Sequence, residues 1–103
     1  MKAEKVEREI YKVKHSSEDM KFYIEDRDEL EIGTLTYEDA GEGKVGINHV
    51  WVKSELRGNE MGKQMLDRAV NYFREKNLKI VPLCPFVKYM FVKFSLEYED
   101  IEA

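Results

Sequence analysis

Residues 53–66, Lys-Ser-Glu-Leu-Arg-Gly-Asn-Glu-Met-Gly-Lys-Gln-Met-Leu, have the pattern of a strand end, a glycine-bearing loop and the start of an amphipathic helix. The N–H groups in the first turn of a helix have no acceptor within the helix and carry a partial positive charge. Arg57 and Lys63 add positive charge beside them. The stretch therefore predicts an anion site of the kind that holds a phosphate group.

The glycines of this stretch also allow a simpler interpretation. Gly58 and Gly62 would shape a tight turn between the strand and the helix without any ligand, and glycine motifs this short are weak evidence of a site. Glu60 favours this alternative, because it places a side chain and a negative charge in the loop. The rest of the chain helps to decide between an anion site and a simple turn.

The composition predicts one globular domain over residues 1–103. The chain is 43% hydrophobic and 37% charged, which suits a single core and a single site. Its formal net charge of -4 offers no basic field for nucleic acid, and no apolar run reaches membrane-spanning length. The N-terminal residues are too charged for a signal peptide, and Cys84 is the only cysteine. We expect a cytoplasmic protein that binds no nucleic acid, membrane or metal.

Short apolar runs predict the strands. Residues 21–25, 31–37 and 45–53 are linked by short polar turns and predict an antiparallel meander. Residues 6–14 fit both a helix and a strand and are predicted as a leading strand, followed by His15 in a solvated turn. Residues 78–83 follow a helix and predict a strand parallel to residues 45–53.

Two helices are predicted after the loop. The first spans residues 60–76, with Asn77 at the position of a left-handed cap. Its apolar stripe consists of Met61, Met65, Leu66, Ala69, Val70 and Phe73. The second begins at Pro85, and its stripe is predicted to be core: Phe86, Val87, Met90, Phe91 and Phe94.

These elements predict an α/β (α+β) fold with a mixed sheet. An antiparallel meander leads into a β-α-β unit, and a C-terminal helix covers the sheet. Ligands of open α/β sheets tend to lie beyond the carboxyl ends of parallel strands. At that edge the loop and Cys84 would border one cleft.

The loop sequence Arg57-Gly58-Asn59-Glu60-Met61-Gly62 resembles the pyrophosphate loop of the GNAT superfamily of acetyl-CoA-dependent N-acetyltransferases, Gln/Arg-x-x-Gly-x-Gly/Ala. It matches at Arg57 and Gly62 and differs at Glu60. The closer resemblance is to the short, stand-alone GNAT-like proteins of bacteria, over about residues 21–101. Its most specific part is the segment Pro82-Leu83-Cys84-Pro85-Phe86, and residues 22–24, residues 97–100 and His49 are also similar.

The resemblance implies that the protein binds acetyl-CoA (coenzyme A) and transfers its acetyl group to an amine. The acceptor is of unknown identity, a small molecule or a protein, and the protein would be a monomer or a weak homodimer. The cofactor-binding residues would be Val52, Arg57, Gly58, Asn59, Glu60, Met61, Gly62 and Lys63. The alternative is a non-catalytic module that binds coenzyme A or another protein, which Glu60 and the reduced size of these relatives favour.

His49 and Cys84 are the candidate catalytic residues. Alternation places His49 on the same strand face as Ile47 and Trp51, where it would act as a general base or as a structural histidine against Trp51. Cys84 precedes Pro85 and would cap the last helix, where the helix dipole favours a thiolate. It would accept the acetyl group, or reprotonate the departing coenzyme A thiolate, or be a small buried residue without a chemical role.

Overall fold

The computed structural model describes residues 10–58 and 60–103, in which one five-stranded sheet is packed against helices. The strands are β1 (Lys14–Ser16), β2 (Lys21–Glu25), β3 (Glu31–Asp39), β4 (Lys44–Val52) and β5 (Lys79–Pro82). The helices are α1 (Met61–Glu75), α2 (Pro85–Lys93) and α3 (Ser95–Tyr98), and a short 3-10 turn spans Ser54–Leu56. No helix of these two ranges is long and apolar enough to cross a membrane.

The sheet has the strand order β1-β2-β3-β4-β5. The first four strands pair antiparallel, whereas β4 and β5 pair parallel. A parallel pair needs a crossover connection, and α1 supplies it. The predicted meander and the β-α-β unit are therefore confirmed.

The pairing of β4 with β3 contains a bulge at Asn48. Tyr37 pairs with Ile47 and Thr36 pairs with His49, so Asn48 has no partner on β3. An extra residue in one strand exchanges the faces of the residues that follow it. The prediction that His49 shares a face with Ile47 is therefore wrong, because Ile47 is fully buried while His49 is exposed.

The parallel pairing of β4 with β5 covers only the first part of β4. It ends at the pair Ile47–Pro82, and the Leu83 N–H donates to the Ile47 carbonyl at 3.0 Å. Beyond this point the two strands separate. In the described structure, residues 48–52 of β4 have a strand neighbour on the β3 side alone.

Helix α1 forms the main contact between the helices and the sheet. Its six buried side chains are those of the predicted stripe: Met61, Met65, Leu66, Ala69, Val70 and Phe73. Each large apolar side chain buried in this way contributes about 1.5 to 3 kcal/mol of transfer free energy. The helix ends as predicted, with Asn77 in the left-handed region at φ +61°.

Helix α2 begins at Pro85 as predicted and ends at Lys93. Val87, Met90 and Phe91 are buried in the core. The chain then breaks at Phe94 and continues as α3, which places Tyr98 in the core. The first and last residues of the predicted stripe, Phe86 and Phe94, are only half-buried.

The beginning of the described chain differs from the prediction. Residues 6–9 of the predicted leading strand lie outside the described residues, and residues 10–13 are not in a strand. The strand β1 instead includes His15, which is not in a solvated turn. Because His15 pairs with Phe22, its ring stacks on the Phe22 ring at 4.1 Å, and its Nε2 lies 2.6 Å from the Tyr37 hydroxyl.

We predict that His15 makes the stability depend on pH. Burial lowers the pKa of His15, and the charges of Arg68 and Lys76 lower it further. The unfolded chain therefore binds a proton more readily, and the free energy of unfolding falls as the pH decreases below about 6.5. Urea unfolding at pH 7.5 and pH 5.0 measures this loss.

The matched variant is His15→Gln, which has an amide in place of the ring nitrogens but does not titrate. We expect a smaller difference between the two pH values in this variant than in the wild type. Equal differences in both proteins would show that another group causes the pH dependence.

Candidate functional site

The separation of β4 from β5 opens a cavity of about 630 Å³. One wall is the second half of β4, from His49 to Val52. The loop after β4 and the first turn of α1 close one end. The opposite wall comes from α2 and the residue that follows it, with Phe86, Met90, Lys93 and Phe94. The cavity thus connects an open strand edge with the start of a helix.

The loop at the end of the cavity directs the N-terminus of α1 toward it. Gly58 has φ +91° and Glu60 has φ +63°, and the helix begins directly afterwards at Met61. The side chain of the N-cap residue, Glu60, makes no capping hydrogen bond to this first turn. Met61, Gly62 and Lys63 all line the cavity. Their backbone N–H groups belong to the positive end of the helix dipole.

Glu60 occupies the position at which the loop pattern has a glycine. Its backbone is in the left-handed region, which costs residues other than glycine roughly 1 to 2 kcal/mol. The loop therefore keeps the conformation that a glycine would favour, although a glutamate is present. The exposed carboxylate also adds a negative charge to the cavity lining.

Gly62 is required for a different reason, namely close packing. A Cβ atom at this position would lie 3.0 Å from Cζ of Phe86. The glycine lets the ring of Phe86 approach the first turn of α1. The two residues together bring the helix start and α2 to the two sides of the same cavity.

Arg57 lies at the mouth of the cavity. Its Nε donates a hydrogen bond to the Val52 carbonyl at 3.2 Å, so the side chain folds back over the end of β4. Both residues line the cavity. The guanidinium is exposed and has further donors for an anion at this end.

Lys63 also lines the cavity, but its ammonium group is engaged by carboxylates. It lies 2.9 Å from Asp67 and 3.1 Å from Glu97, and 4.6 Å from the centre of the Phe94 ring. Burial acts to lower the pKa of Lys63, but the hydrogen bonds with Asp67, Glu97 and Tyr98 outweigh it and leave the pKa raised. Lys63 is therefore charged, and acidic side chains compensate that charge.

The structure brings His49 to the cavity together with the loop, but not Cys84. His49 lies in the lining, on the β4 wall. Cys84 is the N-cap residue of α2, as predicted, but the residue is only 6% exposed and does not belong to the lining. The prediction that Cys84 borders the same cleft as the loop is therefore wrong for its side chain.

Sequence reasoning missed the wall that α2 contributes. Met90 is buried as predicted and also lines the cavity, whereas Phe86 and Phe94, predicted as core, are half-buried and line it too. Lys93, which the sequence does not mark as a site residue, lines the cavity as well. The sequence does contain a signal for this wall. Residues 86, 90, 93 and 94 recur at three- and four-residue spacing, so they lie on one face of α2 and of the residue that follows it.

Comparison with known proteins identifies the family. The chain belongs to the GCN5-related N-acetyl-transferase family, whose family model matches residues 21–101. No curated protein sequence matches the chain significantly. Enzymes of this family use acetyl-CoA as the acetyl donor, and the predicted family membership is confirmed.

Two solved structures from Staphylococcus aureus resemble this one. The first, an NMR structure described as a GCN5-like N-acetyltransferase, has 33% sequence identity and a TM-score of 0.74, over 91% of this chain and 89% of that chain. The second, a crystal structure of a GNAT-family acetyltransferase from strain Mu50, has 17% identity and a TM-score of 0.56. The alignment covers 60% of this chain and 39% of that chain. At this level of identity the similarity is evidence for a shared fold and for nothing more. The predicted mixed-sheet fold is confirmed.

We predict that Gly62→Ala lowers the free energy of unfolding by roughly 1 kcal/mol, because the new methyl group meets the Phe86 ring. Alanine gains about 1 kcal/mol over glycine from helix propensity, so a net loss identifies the clash. Urea unfolding measures the change. In a Phe86→Leu background, which removes the ring, the same substitution should be neutral or stabilising. Equal effects in both backgrounds would contradict the packing argument.

Proposed function

We propose that this protein binds acetyl-CoA in the cavity and transfers the acetyl group to an amine. The observation that carries the proposal is the shape of the cavity, which joins the separated edge of β4 to the first turn of α1. Membership in an N-acetyltransferase family supports it. A cytoplasmic location belongs to the same proposal, because acetyl-CoA is available there.

The residues of the cavity fit the chemical parts of the cofactor. The backbone N–H groups of Gly62 and Lys63 and the guanidinium of Arg57 suit a pyrophosphate. Backbone groups of residues 48–52, which have no strand partner on the cavity side among the described strands, suit the amides of the pantetheine arm. Phe86 and Met90 provide an apolar wall. We assign Val52, Gly58, Asn59, Glu60 and Met61 to the same binding segment.

Bound acetyl-CoA supplies a thioester, whose carbonyl carbon bonds to the amine nitrogen as the C–S bond breaks and the sulfur leaves as a thiolate that takes up a proton. His49 is our candidate for the base that removes the proton of the amine. Its position in the cavity lining supports this role. The exposed imidazole can pass the proton on to water.

A non-catalytic module that binds coenzyme A is the second candidate. Glu60 favours it, because its carboxylate lies in the lining near the position proposed for the pyrophosphate. At an effective dielectric constant of 20 to 80, two unit charges 4 Å apart repel by about 1 to 4 kcal/mol. Binding of acetyl-CoA without any acetylated product would establish this second function.

We predict that acetyl-CoA shifts the backbone amide signals of Gly58, Gly62 and Lys63 saturably in an NMR titration of isotope-labelled protein. Arg57→Ala should weaken the binding about tenfold, since a hydrogen bond to a charged group contributes about 1.5 to 3 kcal/mol. Arg27→Ala is the matched control, because Arg27 is equally cationic but lies exposed in the turn between β2 and β3. No shifts at millimolar ligand, or equal weakening in both variants, would contradict the assignment.

We further propose that transfer is direct, without an acetylated cysteine. The burial of the Cys84 side chain outside the cavity lining supports this route. We predict that Cys84→Ala keeps its turnover within about a factor of two, measured as release of coenzyme A in the presence of an amine. If the variant binds acetyl-CoA normally but no longer turns it over, the thiol has a chemical role, as an acid or as an acetyl carrier.

A further inference from the structure

The bulge residue Asn48 joins two side chains of β3 on the face of the sheet that is turned away from α1. Leu35 and Tyr37 are buried beneath the helices, so Thr36 and Glu38, which alternate with them, point to the other face. The Thr36 hydroxyl donates to Asn48 Oδ1 at 2.5 Å, and Asn48 Nδ2 donates to Glu38 Oε1 at 2.6 Å. Asn48 thereby holds the Glu38 carboxylate in one orientation.

Glu38 differs in its ion pairing from two other glutamates on this face. Glu25 and Glu31 form ion pairs with Lys14 and Lys21, respectively. Within residues 10–58 and 60–103, no lysine or arginine forms an ion pair with Glu38. The carboxylate is exposed, and the amide of Asn48 is its hydrogen-bond donor. It therefore presents to solvent a negative charge that no lysine or arginine of residues 10–58 and 60–103 pairs with.

Glu38 lies at the point where β4 and β5 separate. It pairs with Gly46, and Gly46 pairs with Val81, one register position before the last pair of the parallel ladder. A Cβ atom on Gly46 would lie 3.5 Å from Cγ of Glu38 and 2.7 Å from Cδ1 of Leu83. Glu38 and Leu83 thus meet above this glycine, on the outer face.

The cavity reaches the same point from the other direction. Along β4 its lining extends as far as His49, the residue next to Asn48. A ligand that fills the cavity from the helix start would therefore end beside the bulge. The Glu38 carboxylate stands on the outer face at this end, with the exposed side chain of Leu83 beside it.

We propose that Glu38, oriented by Asn48, binds the ammonium group of the acceptor, and that the acceptor is an alkylammonium ion whose chain contacts Leu83. This inference rests on the proposed acetyl-transfer function and adds the acceptor site to it. A carboxylate that pairs with no cation of the described residues complements an ammonium ion, and an exposed leucine complements an alkyl chain. Glu38 is a binding group here, and the removal of the proton remains with His49.

The test is an NMR titration of labelled protein with n-butylammonium, with and without coenzyme A. We expect saturable shifts of the amides of Thr36, Glu38 and Asn48, and no such shifts with 1-butanol, which lacks the charge. Glu38→Gln keeps an acceptor for Asn48 but loses the charge, so the affinity should fall about tenfold or more. Glu42→Gln, an equal charge change in the turn between β3 and β4, should bind like the wild type.

Kinetics with n-butylamine as the acceptor separates binding from a structural effect. Glu38→Gln should raise the KM for the amine about tenfold, with kcat changed less than about threefold and the affinity for acetyl-CoA unchanged. Equal amine affinity in Glu38→Gln and the wild type, or shifts confined to other residues, would overturn the inference. If acetyl-CoA does not bind to the wild type, the proposed function fails instead, and the ammonium titration without coenzyme A still decides whether the Glu38 site exists.

Discussion

The site depends on how far β5 stays paired with β4. Parallel pairing ends at Ile47, where the Leu83 N–H makes the last hydrogen bond, and the second half of β4 then has a partner on one side only in the described structure. Backbone groups that leave a ladder must find another partner or remain in water. The separation therefore creates both the space of the cavity and a row of polar groups along it.

The packing of α1 keeps this separation open. Six buried side chains fix the helix on the sheet, so its first turn stays at the end of β4. Gly62 then allows Phe86 of α2 to approach the first turn of α1, so that both helices line the cavity. The same short helix turn thus supplies the positive dipole end and the contact with α2.

The elements with a clear hydrophobic period were predictable from the sequence. The apolar stripe predicted for α1 consists of the six residues that are buried in the structure. Asn77 and Pro85 mark where α1 ends and α2 begins, because both residues have narrow backbone preferences. The bulge at Asn48 was not predictable in this way. A bulge leaves the apolar pattern intact on each side and changes only its phase, so alternation counted through Asn48 assigned His49 to the wrong face.

Long-range contacts account for the other differences. His15 looks like a polar turn residue because its neighbours in sequence are polar, but strand pairing places it against Phe22. Phe86 and Phe94 fit a core stripe and do pack against the core, yet both are only half-buried because the cavity lies beside them. A period shows which side of a helix is apolar. It does not show whether another element covers that side.

Local charge explains how an acidic chain can carry both the anion site and the cation site that we propose. The formal net charge is -4, but at physiological salt a charge is screened over about 8 to 10 Å, so groups within the site outweigh the total. At the helix start, backbone N–H groups and Arg57 provide local positive charge, while the charge of Lys63 is compensated by Asp67 and Glu97. At the bulge, Glu38 provides local negative charge. Because β4 runs between these two ends, the strand itself separates the charge that suits a pyrophosphate from the charge that suits an amine.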